Sequence, residues 1–202
     1  MNKRRGRLNE IRRYLAQCLP ILFCLLLFGC ATGGKEQKPQ LSNTYQDDAV
    51  ILSICASDDL NLYNFRKHTL KLAIVQVANV EDVQQLLINS EGIAKILDGD
   101  LKEKNVFIQP FIVDPGSKRV HKFARMAGVK KVIVVAGYYD LIPNQVVRIF
   151  EVPVFKHWEP IKFWEQNRRM GRMAIFLKLG AKGIACAESK AKETPNATVD
   201  TL

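Results

Sequence analysis

Cys30 closes the run Leu27-Phe28-Gly29-Cys30. A thiol that directly follows a small residue at the end of an apolar stretch is the acyl acceptor of a bacterial lipoprotein signal. The flanks match. Lys3, Arg4, Arg5, Arg7, Arg12 and Arg13 stand against a single acid, Glu10, and Leu19 to Phe28 is apolar apart from Cys24 and Pro20. A spanning helix needs about 20 apolar residues, whereas a signal core needs roughly 7 to 15 before its cut. Cleavage after Gly29 and acylation of Cys30 are therefore predicted. The alternative is an uncleaved anchor in which Cys30 is incidental.

The other residues able to do chemistry form no constellation. Cys18 and Cys24 leave with residues 1–29, so Cys55 and Cys186 remain. In an oxidising compartment they are either joined in a disulfide or buried separately as small hydrophobes. His68, His121 and His157 stand singly, none with a second ligand at metal-binding spacing. There is no glycine-rich phosphate loop and no Gly-x-Ser-x-Gly elbow. Asp114 and Asp140 fall at strand ends, where turn chemistry accounts for them. The expectation is a protein without cofactor or metal that is not an enzyme. Arg168, Arg169 and Arg172 run beside Trp158, Phe163 and Trp164; this stretch suits a partner or lipid headgroups, or else is a solvated loop between strands.

The flanking sequence sets the organisation. Ala31-Thr32-Gly33-Gly34-Lys35-Glu36-Gln37-Lys38-Pro39 has the small, polar composition of a tether. Residue 31 is Ala rather than the Asp that retains many Gram-negative lipoproteins at the inner membrane, which points to the periplasmic face of the outer membrane. The six bases and one acid of residues 1–29 account for half of the formal charge of +10. What remains fits a solvated basic face or an acidic protein partner rather than nucleic acid. The expected layout is a signal over 1–29, a lipidated cysteine and tether over 30–48, one folded domain over 49–188, and a disordered tail over 189–202.

Within the domain, Ala49 to Ala56 reads as a buried strand that breaks at Ser57-Asp58-Asp59, and Leu70 to Val77 as a second strand. Asn79 is a candidate N-cap for a helix carrying Val83, Leu86 and Leu87, which Gly92 separates from a short helix with Ile93, Ile96 and Leu97. Val106 to Val113 is a strand, Asp114-Pro115-Gly116-Ser117 a turn, and His121 to Met126 a short helix. Lys130 to Tyr139, apolar on both faces at Val132 to Ala136, is the central strand. Val146 to Phe155, Ala174 to Leu179 and Ile184 to Ala187 complete roughly seven strands, a mainly β two-sheet β-sandwich with a short helical insertion.

The order of these pieces resembles the outer-membrane lipoprotein of the type VI secretion system, the TssJ/SciN family. The likeness rests on the Cys30 run, Ala56-Ser57-Asp58-Asp59-Leu60-Asn61 after the first strand, and Leu70 to Val77 with Gln76 near its end. It continues through the turn Asp114-Pro115-Gly116 and through Gly128-Val129 leading into Val134-Val135-Ala136-Gly137-Tyr138-Tyr139-Asp140-Leu141. It covers residues 27 to about 155; Lys156 to Arg172 is an insertion or a divergent loop. The resemblance implies a transthyretin-like sandwich that serves as a structural part. In that family, the loop between the first two strands docks on the periplasmic C-terminal domain of the inner-membrane IcmF-like (TssM) protein. Carried over, that loop is Ser57 to His68, with Asp58, Asp59, Leu60, Asn61, Leu62, Tyr63, Phe65, Arg66 and Lys67 as contacts. Apolar side chains in a segment bounded by charges have the makings of an interface; alternatively they fold back onto their own core. A reading of another class is an envelope lipoprotein whose sandwich binds a small ligand, peptide or glycan.

Overall fold

The computed structural model describes residues 41–99, 101, 103, 105–158 and 166–192. The expected signal over 1–29, Cys30, residues 31–40 of the expected tether, Phe163, Trp164 and the expected tail from 193 lie outside them. Two four-stranded sheets form the sandwich. One has the order β11-β10-β2-β5, built from Ile184–Lys192, Arg172–Leu179, Gln46–Ala56 and Lys118–Arg125. The other has the order β4-β3-β6-β7, built from Phe107–Val113, Leu70–Val77, Lys131–Gly137 and Val147–Glu151. A smaller sheet, β1-β9-β8, joins Leu41–Ser42, Gln166–Met170 and Val154–Trp158.

The burial patterns show why the two large sheets differ. In β2, Val50, Leu52, Ile54 and Ala56 are buried while Ile51, Ser53 and Cys55 are half-buried, the period of two expected of a sheet with one solvated face. In β3 and β6 nearly every residue is buried, because the helix Ser90–Asp98 (α2) packs across β3, β4 and β6 on their outer side. Ile93, Ile96 and Leu97 supply its buried stripe. The core between the sheets is aliphatic, with Leu52, Leu72, Ile74, Val134, Ile175 and Leu177 essentially inaccessible.

Several sequence expectations change. Asn79 precedes a single 3-10 turn, Val80–Asp82, and makes no side-chain cap; the capping residue is Asn89, whose Oδ1 accepts from Gly92 N–H at 2.7 Å. The break between α1 (Gln84–Leu87) and α2 therefore falls at Ile88-Asn89. Gly92 lies inside α2 because a Cβ there would sit 2.4 Å from the Leu86 backbone. His121 to Arg125 is strand, not helix, and Met126 follows it: β5 pairs antiparallel with β2, and alternation sends Phe123 and Arg125 inward. Val146 to Phe155 is not one strand. A helical turn, Pro143–Val146 (α3), feeds β7, and Val152-Pro153 divides β7 from β8, which joins the small sheet. Residues 41–42 and 46–48 of the expected tether are strand, and β11 runs to Lys192, past the boundary expected at 188.

The disulfide is also corrected. Cys55 and Cys186 are free. Both lie opposite Lys178, one on each strand flanking β10, so two strand spacings of about 10 Å separate them, beyond the roughly 7 Å between Cα atoms that a disulfide tolerates.

Candidate functional site: the loop after β2

The segment between β2 and β3 is fastened at its root. Ser57 N–H donates to Leu179 O at 2.9 Å, Gly116 N–H donates to Ser57 O at 3.0 Å, and Leu62 N–H donates to Ala181 O at 2.8 Å. Gly116, at φ +70°, turns the chain between β4 and β5 in the Asp-Pro-Gly-Ser turn read from the sequence. Leu60 is wholly buried and Asn61 is 5% exposed. The Asn61 Nδ2 donates to Thr69 O at 3.0 Å, and its Oδ1 accepts from Tyr139 N–H at 3.1 Å. Expected as contacts, Leu60 and Asn61 instead belong to the interior, because an aliphatic side chain between polar neighbours gains more by joining the core than by facing water. Leu62 is half-buried.

Beyond that root the loop projects. Tyr63 and Arg66 exchange two backbone hydrogen bonds of 2.9 Å each, closing a two-residue hairpin with Asn64 at φ +47° and Phe65 at φ +60°. A turn with positive φ at both central residues is the primed kind that favours Asn-Gly. Here Phe occupies the place of Gly. Its side chain is 100% exposed, so the position carries both left-handed backbone strain, about 1 to 2 kcal/mol, and an unburied aromatic ring. Asp58, Asp59, Arg66 and Lys67 are exposed around it, with the Asp59 carboxylate accepting from the Ser57 hydroxyl.

Tyr139, two residues past the end of β6, is a part of this surface that sequence reasoning missed. Its ring stacks on Tyr63 with centroids 4.2 Å apart and planes inclined by 15°, and His68 meets it edge-on at 5.0 Å. The adjacent aromatic pair Tyr138-Tyr139 just past the strand was the available signal, and of its two rings one is buried and the other exposed. The inward one, Tyr138, donates from its hydroxyl to Gly183 O at 2.8 Å and to Gly180 O at 3.2 Å. Burial raises its pKa well above the ordinary tyrosine value, against a smaller lowering by the Gly180 bond. Tyr138 thus clamps the β10–β11 turn, which in turn holds Leu62. Among the histidines, His121 packs in a triangle with Phe111 and Phe123, and His68 meets Tyr139 edge-on.

Fold and site together define a β-sandwich that presents an aromatic-tipped loop, tied at its root and closed by a two-residue turn. No family model matches the sequence, and no curated protein matches it. Solved structures do. The type VI secretion lipoprotein TssJ1 from Pseudomonas aeruginosa matches with a TM-score of 0.50 at 17% identity, covering 76% of this chain and 99% of that one. Serratia marcescens Lip, a membrane-bound component of the type VI secretion system, gives 0.47 at 12%, covering 71% and 96%. The TssM C-terminal domain structure from EAEC gives 0.47 at 11%, covering 72% and 98%. The likeness to TssJ1 establishes the fold, in agreement with the resemblance read from the residues.

Proposed function

We propose that this protein is a TssJ/SciN-type lipoprotein of the type VI secretion membrane complex. It is acylated on Cys30, held at the periplasmic face of the outer membrane, and docked through Ser57 to His68 on the periplasmic C-terminal domain of the inner-membrane IcmF-like (TssM) component. The observation that carries the reading is Phe65, a large ring kept fully in solvent on a strained turn; strain of this kind persists where a function uses it. Tyr63, seated on Tyr139, would supply a second anchor, with Asp58, Asp59, Arg66 and Lys67 on a polar rim. The fold shared with TssJ1 supports the same reading.

The strand directions suit a part that carries load. The chain enters β2 at Gln46 and reaches the loop after Ala56, about 36 Å away at the rise of an extended strand. The entry of the chain from its N-terminal side and the proposed docking loop therefore lie at opposite ends of one interior strand. A pull between them shears β2 against β10 on one side and β5 on the other, so the ladder bonds resist together. This role requires no catalysis.

Titration calorimetry against the partner's periplasmic domain tests the docking. Phe65→Ala and Tyr63→Ala should each lose about 2 kcal/mol, roughly thirtyfold in affinity, against about 1 kcal/mol or less for Lys67→Ala. Wild-type binding by both aromatic variants would end the proposal. Cys30→Ser should move the protein out of the membrane fraction. The ligand-binding reading would use an open groove of about 580 Å³ lined by Val80, Leu87, Ile88, Pro143 and Ile149. It would be favoured if an envelope glycan or peptide raised the melting temperature while Phe65→Ala left partner binding unchanged.

A further inference from the structure

The end of the domain farthest from Phe65 carries cations opposite cations. Lys156 on β8 pairs in register with Arg168 on β9, and Arg172 on β10 with Lys192 on β11. Lys190 stands one step along the same solvated face, opposite Ala174. Like charges directly opposite in a ladder are destabilising, and a neighbouring acid normally offsets them. Among the described residues these five make no ion pair with a carboxylate, while Lys71, Lys95, Arg119, Lys122 and Lys131 each have one. The Arg172 Nε is buried without a partner. Lys156, Arg168, Lys190 and Lys192 are exposed. The basic run noted in the sequence is therefore strand rather than loop, and chain continuity through Gly171 puts both cation pairs at one end.

That end is also where the N-terminal segment joins. Leu41 pairs with Arg168 and Ser42 with Arg169. Ten residues lie between Cys30 and Leu41, and the eleven steps they span reach at most about 40 Å.

We propose that this end is a foot that rests on anionic phospholipid headgroups, Lys156, Arg168, Arg172, Lys190 and Lys192 facing a surface of phosphates. The proposal rests on the reading of Cys30 as a lipid anchor. A domain leashed so closely meets the headgroups at high effective concentration, and an anionic surface attracts each cation, weakening roughly fivefold for every one removed. The foot would orient the sandwich with β2 rising from the membrane and Phe65 at its distal tip.

The test reconstitutes the full lipidated chain into vesicles of phosphatidylcholine, alone or with phosphatidylglycerol. Lysine acetylation rates are then read residue by residue by mass spectrometry. Lys156, Lys190 and Lys192 should react severalfold more slowly in the anionic vesicles only. High salt should remove the protection, and the double variant Lys190→Glu/Lys192→Glu should lose it at Lys156, with Lys67 unaffected throughout. Equal rates in both vesicles, or equal protection of Lys67, would overturn the foot; so would protection that appears only when envelope proteins are added, which marks the face as a protein contact. Flotation separates the two readings. A chain that floats with both vesicles but shows equal labelling keeps the anchor and loses the foot. One that floats only with anionic vesicles and washes off in salt keeps the foot and loses the anchor. One that floats with neither loses both.

Discussion

The ring of Tyr63 lies on that of Tyr139, centroids 4.2 Å apart, and these residues come from different sheet ends brought together by Asn61, whose side chain accepts from Tyr139 N–H. An aromatic pair contributes about 0.5 to 1.5 kcal/mol beyond its buried area, here spent on holding the hairpin tip in one place. Tyr139→Ala should therefore weaken partner binding about threefold to tenfold without contact of its own being required. Calorimetry would show this as a larger entropic cost with the melting temperature nearly unchanged.

Phe65→Gly should move stability and binding in opposite directions. Glycine relieves the left-handed backbone at φ +60°, a gain of about 1 kcal/mol, and removes no packed surface because the side chain is wholly exposed. Urea unfolding should shift to a higher midpoint while affinity for the partner falls. A lower midpoint would mean that the ring packs on the fold.

Gly92→Ala opposes helix propensity with sterics. In an open helix the change would stabilise by up to about 1 kcal/mol, but here the new methyl group would lie 2.4 Å from the Leu86 Cα and carbonyl oxygen. Overpacking against backbone costs about 1 to 3 kcal/mol. A net loss of roughly 1 to 2 kcal/mol is expected in chemical denaturation, with α2 displaced from α1.

Tyr138 ties the β10–β11 turn beside the Phe65 loop through a buried hydroxyl. Because burial raises its folded-state pKa above the unfolded value of about 10, the proton is held more tightly in the native state. Its contribution is full below about pH 10 and is lost as pH rises past it. Unfolding midpoints followed from about pH 8 upward should fall above pH 10, and Tyr138→Phe should flatten that limb. At neutral pH the same variant should cost about 1 to 2 kcal/mol, since the carbonyls of Gly180 and Gly183 lose their shared donor.

Local pattern alone determined much of this protein. The apolar runs of β2, β3 and β6, the Pro-Gly turn at Asp114 to Ser117 and the aromatic loop after Ala56 were legible because each is encoded by neighbours in sequence: β-branched residues that fit a pleat, a glycine free to take positive φ, apolar side chains between charges. What failed was whatever depends on a partner far away in sequence. The segment from His121 to Arg125 has no strong period of its own, and β2 alone made it a strand by offering an unpaired edge. Cys55 and Cys186 looked like a pair until the register placed Lys178 between them. Leu60 and Asn61 share a loop with Phe65, yet only the three-dimensional arrangement of Tyr139, Thr69 and the β10–β11 turn decided that the first two go in and the last stays out. The tertiary structure likewise set Lys156 against Arg168 and Arg172 against Lys192, because strand register brings together charges whose spacing along the chain carries no trace of their meeting.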